Sequence, residues 1–283
     1  PWEGLCLYRV LARECRRTWD LRGLMEAGLS IIVGILVGLA YRDMEKDVRG
    51  VLDRLGFFLV VMVAVGVFTI DRVFAFQRKK ATALHELQSG VMSAWVFHLS
   101  QTLAELPKRL LSSGILAITL LLLVPLHEDA NRRVAFFLFV VICGICSALL
   151  ADACSALTSK AAAIFPGLLI VLLVLGGPFM DPDTDAGVVL QHFSYFRLIF
   201  SLLMSNELQG EDYAFDAIIA GVRIEDAVDV SGDEWLVQLN IDNEQGWHLL
   251  GLGLWSLLFW GIGVLGLIKS TTARPRFRPG VSV

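Results

Sequence analysis

The sequence predicts an all-α membrane protein with six transmembrane helices, an amphipathic helix ahead of them, and a large external loop between helices 5 and 6. Of its 283 residues, 55% are hydrophobic and 18% charged, and the mean hydropathy is +0.65, too apolar for a water-soluble domain. The apolar residues recur in runs close to the about 20 that cross about 30 Å of hydrocarbon: Leu24 to Tyr41, Leu55 to Ile70, Val96 to Leu126, Val134 to Leu157, Ala161 to Phe179 and Trp247 to Ile268. The net charge of −4 hides a segregation of signs along the chain. The expected organisation is an interfacial helix over 1–22, helices 1–5 over 23–179 with a cytoplasmic elbow at 71–95, an external loop with a re-entrant helix over 180–246, and helix 6 with a cytoplasmic tail over 247–283.

In the lead segment Leu5, Tyr8, Leu11, Ala12, Cys15 and Trp19 share one helical face opposite Arg9, Arg13, Arg16 and Arg17. That is the pattern of a helix lying along the inner leaflet, and packing against soluble protein would use the same stripe. The chain opens on Pro1 without a signal-peptide pattern and is expected to be a piece of a longer polypeptide. Arg residues before the first span, and Lys269, Arg274, Arg276 and Arg278 after the last, place both termini in the cytoplasm. The first span carries Gly34 and Gly38, spaced for close helix approach, and near its inner end Glu26, expected at the interface. The loop that follows runs against the charge rule: Arg42, Lys46, Arg49 and Arg54 fall outside, diluted by Asp43, Glu45, Asp47 and Asp53. In the second span Phe58, Met62, Val65 and Phe68 share a face suited to large apolar ligands, or simply to packing on neighbouring helices.

Asp71 to Pro107 is a charged interruption patterned for a helix, beginning with Arg72, Arg78, Lys79 and Lys80 and continuing through Glu86. A basic cluster beside apolar spans marks the cytoplasmic side, the surface a soluble partner can push on. Pro107 is expected to kink the third span after Glu105. In the fourth, Cys143-x-x-Cys146 has no third ligand and reads as packing, and Asp152 falls where water is expected to reach it. Gly176, Gly177 and Pro178 stop the fifth. Val188 to Met204 is broken by His192, Ser194 and Arg197 and predicts a short helix dipping into the outer leaflet. Asn206 to Gly246 reads as a small acidic cap, without cysteine for a disulfide and without an N-x-[ST] site.

The chain carries no phosphate-binding G-x-x-x-x-G-K-[ST] loop, no H-E-x-x-H, no G-x-S-x-G and no metal-spaced Cys/His set. Its function is therefore expected to be passage, anchoring or signalling across a membrane, with no nucleic-acid partner and with the lipid bilayer as its surroundings. An ATP-independent carrier or channel would want ionisable residues deep in its spans, and only Glu26 and Asp152 qualify, both near an edge. A membrane anchor with a partner-binding cap is the other alternative.

The order of elements resembles the transmembrane domain of ABCG-type ATP-binding cassette exporters, the White and pleiotropic-drug-resistance group. Gln77-Arg78, then Glu86-x-x-x-Gly90-x-Met92-Ser93, then Glu105-Leu106-Pro107, resemble that family's elbow, with Gln77 in place of Glu, Met92 in place of Tyr, and about two extra residues between Arg78 and Glu86. Ser194-Tyr195-Phe196-Arg197 running to Asn206-Glu207-Leu208-Gln209-Gly210 resembles its external helix. The resemblance implies a nucleotide-binding domain before Pro1 in the same polypeptide, binding ATP and Mg there, and a second transporter half as partner, in a membrane that is expected to be the plasma membrane. It further implies a substrate cavity faced by Phe58, Met62 and Val65, an upper gate at Pro178 and Phe179, and an elbow coupled to the ATPase domain through Arg78, Glu86, Gly90, Met92, Glu105 and Pro107. ATP would then drive apolar or amphipathic substrates, lipid, sterol or xenobiotic, across by alternating access.

Overall fold

The computed structural model describes residues 21–44, 47–88, 92–127, 129–176, 191–219, 222–241 and 244–272. Residues 1–20 of the lead helix expected over 1–22, Gly90 of the elbow, and Pro178 and Phe179 of the gate lie outside the described residues.

Helix α1 runs Leu21–Ala40 and lies against α4, Ala94–Leu123. Gly34 and Gly38 make that approach possible: a Cβ on Gly34 would meet Thr119 side-chain carbons at 2.9 Å, and one on Gly38 would meet Leu123 at 2.7 Å. Helix α2, Val48–Phe68, starts on Asp47, whose carboxylate accepts from the Gly50 N–H at 2.6 Å. Helix α3, Ile70–Gln88, resumes after the single residue Thr69. The Thr69 N–H and Oγ1 both donate to Gly66 O, so the chain tightens there instead of turning away. The two run on as one helical stretch, and its 36 residues Arg49–Leu84 contain an 18-residue window with the composition of a membrane span.

Helix α4 contains Pro107 without being ended by it. Helix α5, Ala130–Leu157, is capped by Asp129 Oδ1, which accepts from the Asn131 N–H at 3.2 Å. Helix α6, Ala161–Gly176, has 16 residues and contains Pro166. Helix α7, Tyr195–Leu208, starts on the Ser194 hydroxyl, which also donates to Leu172 O at 2.5 Å. Strands β1, Asp212–Ile219, and β2, Val222–Ser231, pair antiparallel from Asp212 opposite Ser231 to Ile219 opposite Val222, with an irregularity between Phe215 and Ala217. Helix α8, Gly232–Gln238, and the long α9, Gln245–Thr272, complete the described chain.

Five of these stretches are long and apolar enough to cross a membrane: α1, α2 with α3, α4, α5 and α9. The protein is an integral membrane protein with helix as its main element. The described part of the segment expected to dip into the outer leaflet forms α7, which is buried except at Arg197 and Leu198, with Tyr195, Phe196, Ile199 and Phe200 at 0% exposure. Its Tyr195 hydroxyl meets Ser147 Oγ of α5 at 2.7 Å, which satisfies the polar end of a fully buried ring. Two apolar clusters hold the bundle. The larger joins Phe57, Phe58, Met62 and Val65 to Leu116, Phe136, Phe139 and Cys143 and to α7. A smaller one, at the end of the bundle that holds α3, gathers Phe76, Ala83, Leu87, Met92, Val96, Phe97, Ala156 and Leu267. Cys143 and Cys146 are buried thiols, the latter 3.2 Å from the Ser256 hydroxyl.

Candidate functional site: a buried charge layer and the arm it carries

Beyond Thr69 each buried charge needs a partner, because a lone ion in an apolar interior is costly. Arg72, one turn into α3, is 2% exposed and lies between two carboxylates. Its Nε and Nη2 donate to Asp152 Oδ1 and Oδ2 of α5 at 2.7 and 2.8 Å, a two-pronged contact that a guanidinium makes and an ammonium does not. Its Nη1 lies 2.9 Å from Glu105 Oε1 of α4, which also receives Lys79 Nζ at 3.0 Å. A second set sits beside it: Glu26 of α1 takes Arg109 Nη1 at 2.6 Å and Lys108 Nζ at 2.5 Å. Arg109 Nη1 also reaches Phe68 O at the end of α2, 3.1 Å away. Five helices are thus tied at one level by charge.

Further along, α3 closes the end of α5. Lys80 Nζ donates to Ala156 O at 2.5 Å and to Ser155 O at 3.4 Å, while Gln77 Nε2 reaches Ser159 O at 3.1 Å. Ser155 O and Ala156 O are carbonyls that a helix terminus leaves without intrahelical donors, and a cation there also opposes the negative end of the helix dipole. Helix α3 is consequently an arm fastened to α5 at Asp152, Ala156 and the following turn.

The expected coupling residues separate within this arrangement. Arg78 is exposed on α3 and Glu86 is half-buried. Met92 is buried in the smaller apolar cluster, Glu105 belongs to the charge layer, and Pro107 is exposed on α4. One expectation is corrected: Asp152, expected to meet water, is 1% exposed and bound by Arg72, so that pairing replaces solvation. Glu26, expected at the interface, is bound by Lys108 and Arg109. In both cases the ion partner comes from a span distant in sequence. Phe58, Met62 and Val65 are 1%, 1% and 2% exposed, turned into the core, while α2 presents Val63 and Val67 outward at 39% and 51%. That outward strip is flanked by α6, where Leu169 abuts Gly66, and by Tyr41 at the end of α1, which abuts Gly56.

At the opposite end of the bundle, Arg54 of α2 pairs with Glu207 of α7 at 3.2 Å, both buried, and its guanidinium stands 5.4 Å over the Tyr213 ring. Burial pushes the Tyr213 hydroxyl up to about 12, so it stays protonated at any physiological pH. His127 Nε2 meets Glu211 at 2.6 Å. These contacts fasten the start of the hairpin to the bundle, and they account for Arg54, one of the four cations of the first loop that run against the charge rule: its charge is consumed internally. Among the described residues no cluster of His, Cys, Asp and Glu is arranged to hold a metal ion.

Comparison with known proteins agrees with the architecture. The family described as ABC-2 type transporter matches residues 5–208. Over 235 residues, 80% of this chain and 35% of the relative, the sequence is 25% identical to the broad substrate specificity ATP-binding cassette transporter ABCG2 of Mus musculus. ABC transporter G family member 7 of Arabidopsis thaliana is 23% identical over 66% of this chain and 26% of its own length. Member 23 of the same plant is 21% identical over 86% of this chain and 40% of its own. The chain thus spans between about a quarter and two fifths of the relatives it matches. With an ABC-2 match over most of its length and ABCG relatives on either side of the animal and plant divide, the chain belongs to the ABC-2 type transporter family as an ABCG-type transmembrane domain.

Proposed function

We propose that this chain is the membrane-spanning half of an ATP-driven exporter that moves apolar or amphipathic substrates by alternating access. The observation that carries the reading is the fastening of α3. An arm with exposed Arg78 is bound through Arg72, Gln77 and Lys80 to α5 and α4, so a push on the arm moves the bundle as a body. The chain itself carries no phosphate-binding loop, and the relatives are named as ATP-binding cassette transporters. In this reading the power comes from a nucleotide-binding domain in the same polypeptide, ahead of this chain, which holds ATP and Mg.

Helix α6 then completes six spans, both ends of the chain face the cytoplasm with α3, and the hairpin faces outside, in the plasma membrane. A second half packs so that the outward strip of α2 lines the path, with half-buried Leu59 and exposed Val63 and Val67 along it and Phe58, Met62 and Val65 as the layer behind. Pro178 and Phe179 form the upper gate. The strip is uncharged, which favours apolar or amphipathic cargo, and the name of the mouse relative, broad substrate specificity, is in keeping with so unselective a wall. The test is uptake by the full-length protein in inverted vesicles, with a nitrobenzoxadiazole-labelled lipid as probe. Accumulation with ATP several times that with a non-hydrolysable analogue is expected; equal accumulation rejects the reading.

A further inference from the structure

Between α1 and the α2–α3 junction lies a groove of about 660 Å³, lined by Met25, Leu29, Ile32 and Val67, with Glu26, Phe68 and Asp71 at one end. Its volume is that of a drug-sized site. Exposed apolar side chains on a membrane helix face lipid by default, so the walls alone say little. The end of the groove says more. Glu26 is already engaged by Lys108 and Arg109, which leaves Asp71 as the carboxylate of the lining that no charge offsets. The Asp71 side chain is exposed and has no ion-pair or hydrogen-bond partner among the described residues, and it stands where the apolar run of α2 gives way to the charged α3. Its place in the first turn of α3 also sets it at the weak positive end of the helix. An exposed carboxylate at the polar end of an apolar groove matches a ligand that joins a cationic head to an apolar body.

We infer that this groove binds an amphipathic cation, with its ammonium or amidinium head on Asp71 and its apolar body along Leu29, Ile32 and Val67. The site lies on the α1 side of the molecule and concerns binding alone; whether what docks there is carried rests on the transport reading above.

The test uses the full-length protein in phosphatidylcholine nanodiscs and two photoactivatable probes with the same diazirine-bearing dodecyl chain, one headed by trimethylammonium and one by a neutral diol. Mapped labelling of Met25, Leu29, Ile32 and Val67 should favour the cation by up to about fivefold, the upper end of what an exposed ion contact contributes. Asp71→Asn should bring the two probes within twofold of each other, Asp71→Glu should keep the preference, and Ile32→Trp should remove labelling by both. Melting midpoints monitor folding, and Val67→Trp replaces Ile32→Trp if that variant is unstable. Equal labelling by the two heads would mean that the groove holds neutral acyl chains and overturns the inference, as does an unchanged preference in Asp71→Asn. Absence of labelling by either probe, the sign of a groove covered by residues 1–20 or by a second copy, also overturns it. The readout needs no ATP, so failed uptake with intact labelling would reject the transport reading and leave this one standing.

Discussion

At the level of single residues, Arg72 sets the terms for its neighbours. Removing its guanidinium leaves Asp152 buried at 1% exposure with no counter-charge, whereas Glu105 keeps Lys79. Breaking a buried pair from one side costs about 3–5 kcal/mol, because the surviving ion keeps its desolvation penalty. Arg72→Ala is therefore expected to lose that amount in a denaturant titration of the protein in mixed micelles. Arg72→Met combined with Asp152→Leu should recover most of it, since no orphaned charge remains. If the double variant were as unstable as the single one, the pair itself would be contributing net stability. The sequence showed that Asp152 was unexpected in its span but not why it was there. Its partner is 80 residues away, as Glu207 is 153 residues from Arg54, and neither spacing has a local signature. The signal present in the sequence was depth: Arg72 and Asp152 both lie close to the same expected end of neighbouring spans, where opposite charges can meet.

At the level of elements, the apolar runs located the helices well, because a span must satisfy its backbone internally and so announces itself by length. They were less informative about what continues beyond a span. The charges from Asp71 to Lys80 mark an end to hydrophobicity, yet the helix carries on through Gln88 with Arg72 and Lys80 turned toward carboxylates and carbonyls. Which face of α2 points inward was also hidden. Phe58, Met62 and Val65 form a stripe either way, and periodicity finds the stripe without saying whether it meets a neighbour or a cavity. The small residues of α1 are a clearer case. Gly38→Val would place carbon atoms within 2.7 Å of Leu123, and overpacking of this kind costs about 1–3 kcal/mol. Gly28 faces open space, with nothing within 4 Å of where a Cβ would stand, so Gly28→Ala should be neutral or slightly stabilising as a helix former replaces glycine. Thermal unfolding of the two variants side by side checks the pair. Equal losses would mean that α1 does not rest on α4 as described.

For the whole molecule, the described bundle has two fastened ends. A hairpin is held at one by Arg54, Glu207 and Tyr213, and an arm at the other by Arg72, Asp152, Gln77 and Lys80, with a continuous apolar core between them. A body stiffened in this way transmits force without deforming, which is what a domain powered from elsewhere requires. The central claim is that nucleotide on another domain switches the side of the membrane to which the α2 strip opens. It is tested most directly at Val63, 39% exposed on that strip, by placing Val63→Cys in the full-length protein with native cysteines replaced and applying a membrane-impermeant maleimide from each side. The account predicts reaction from the cytoplasmic side without nucleotide and from the external side in the vanadate-trapped state. Reaction from the same side in both states would contradict it.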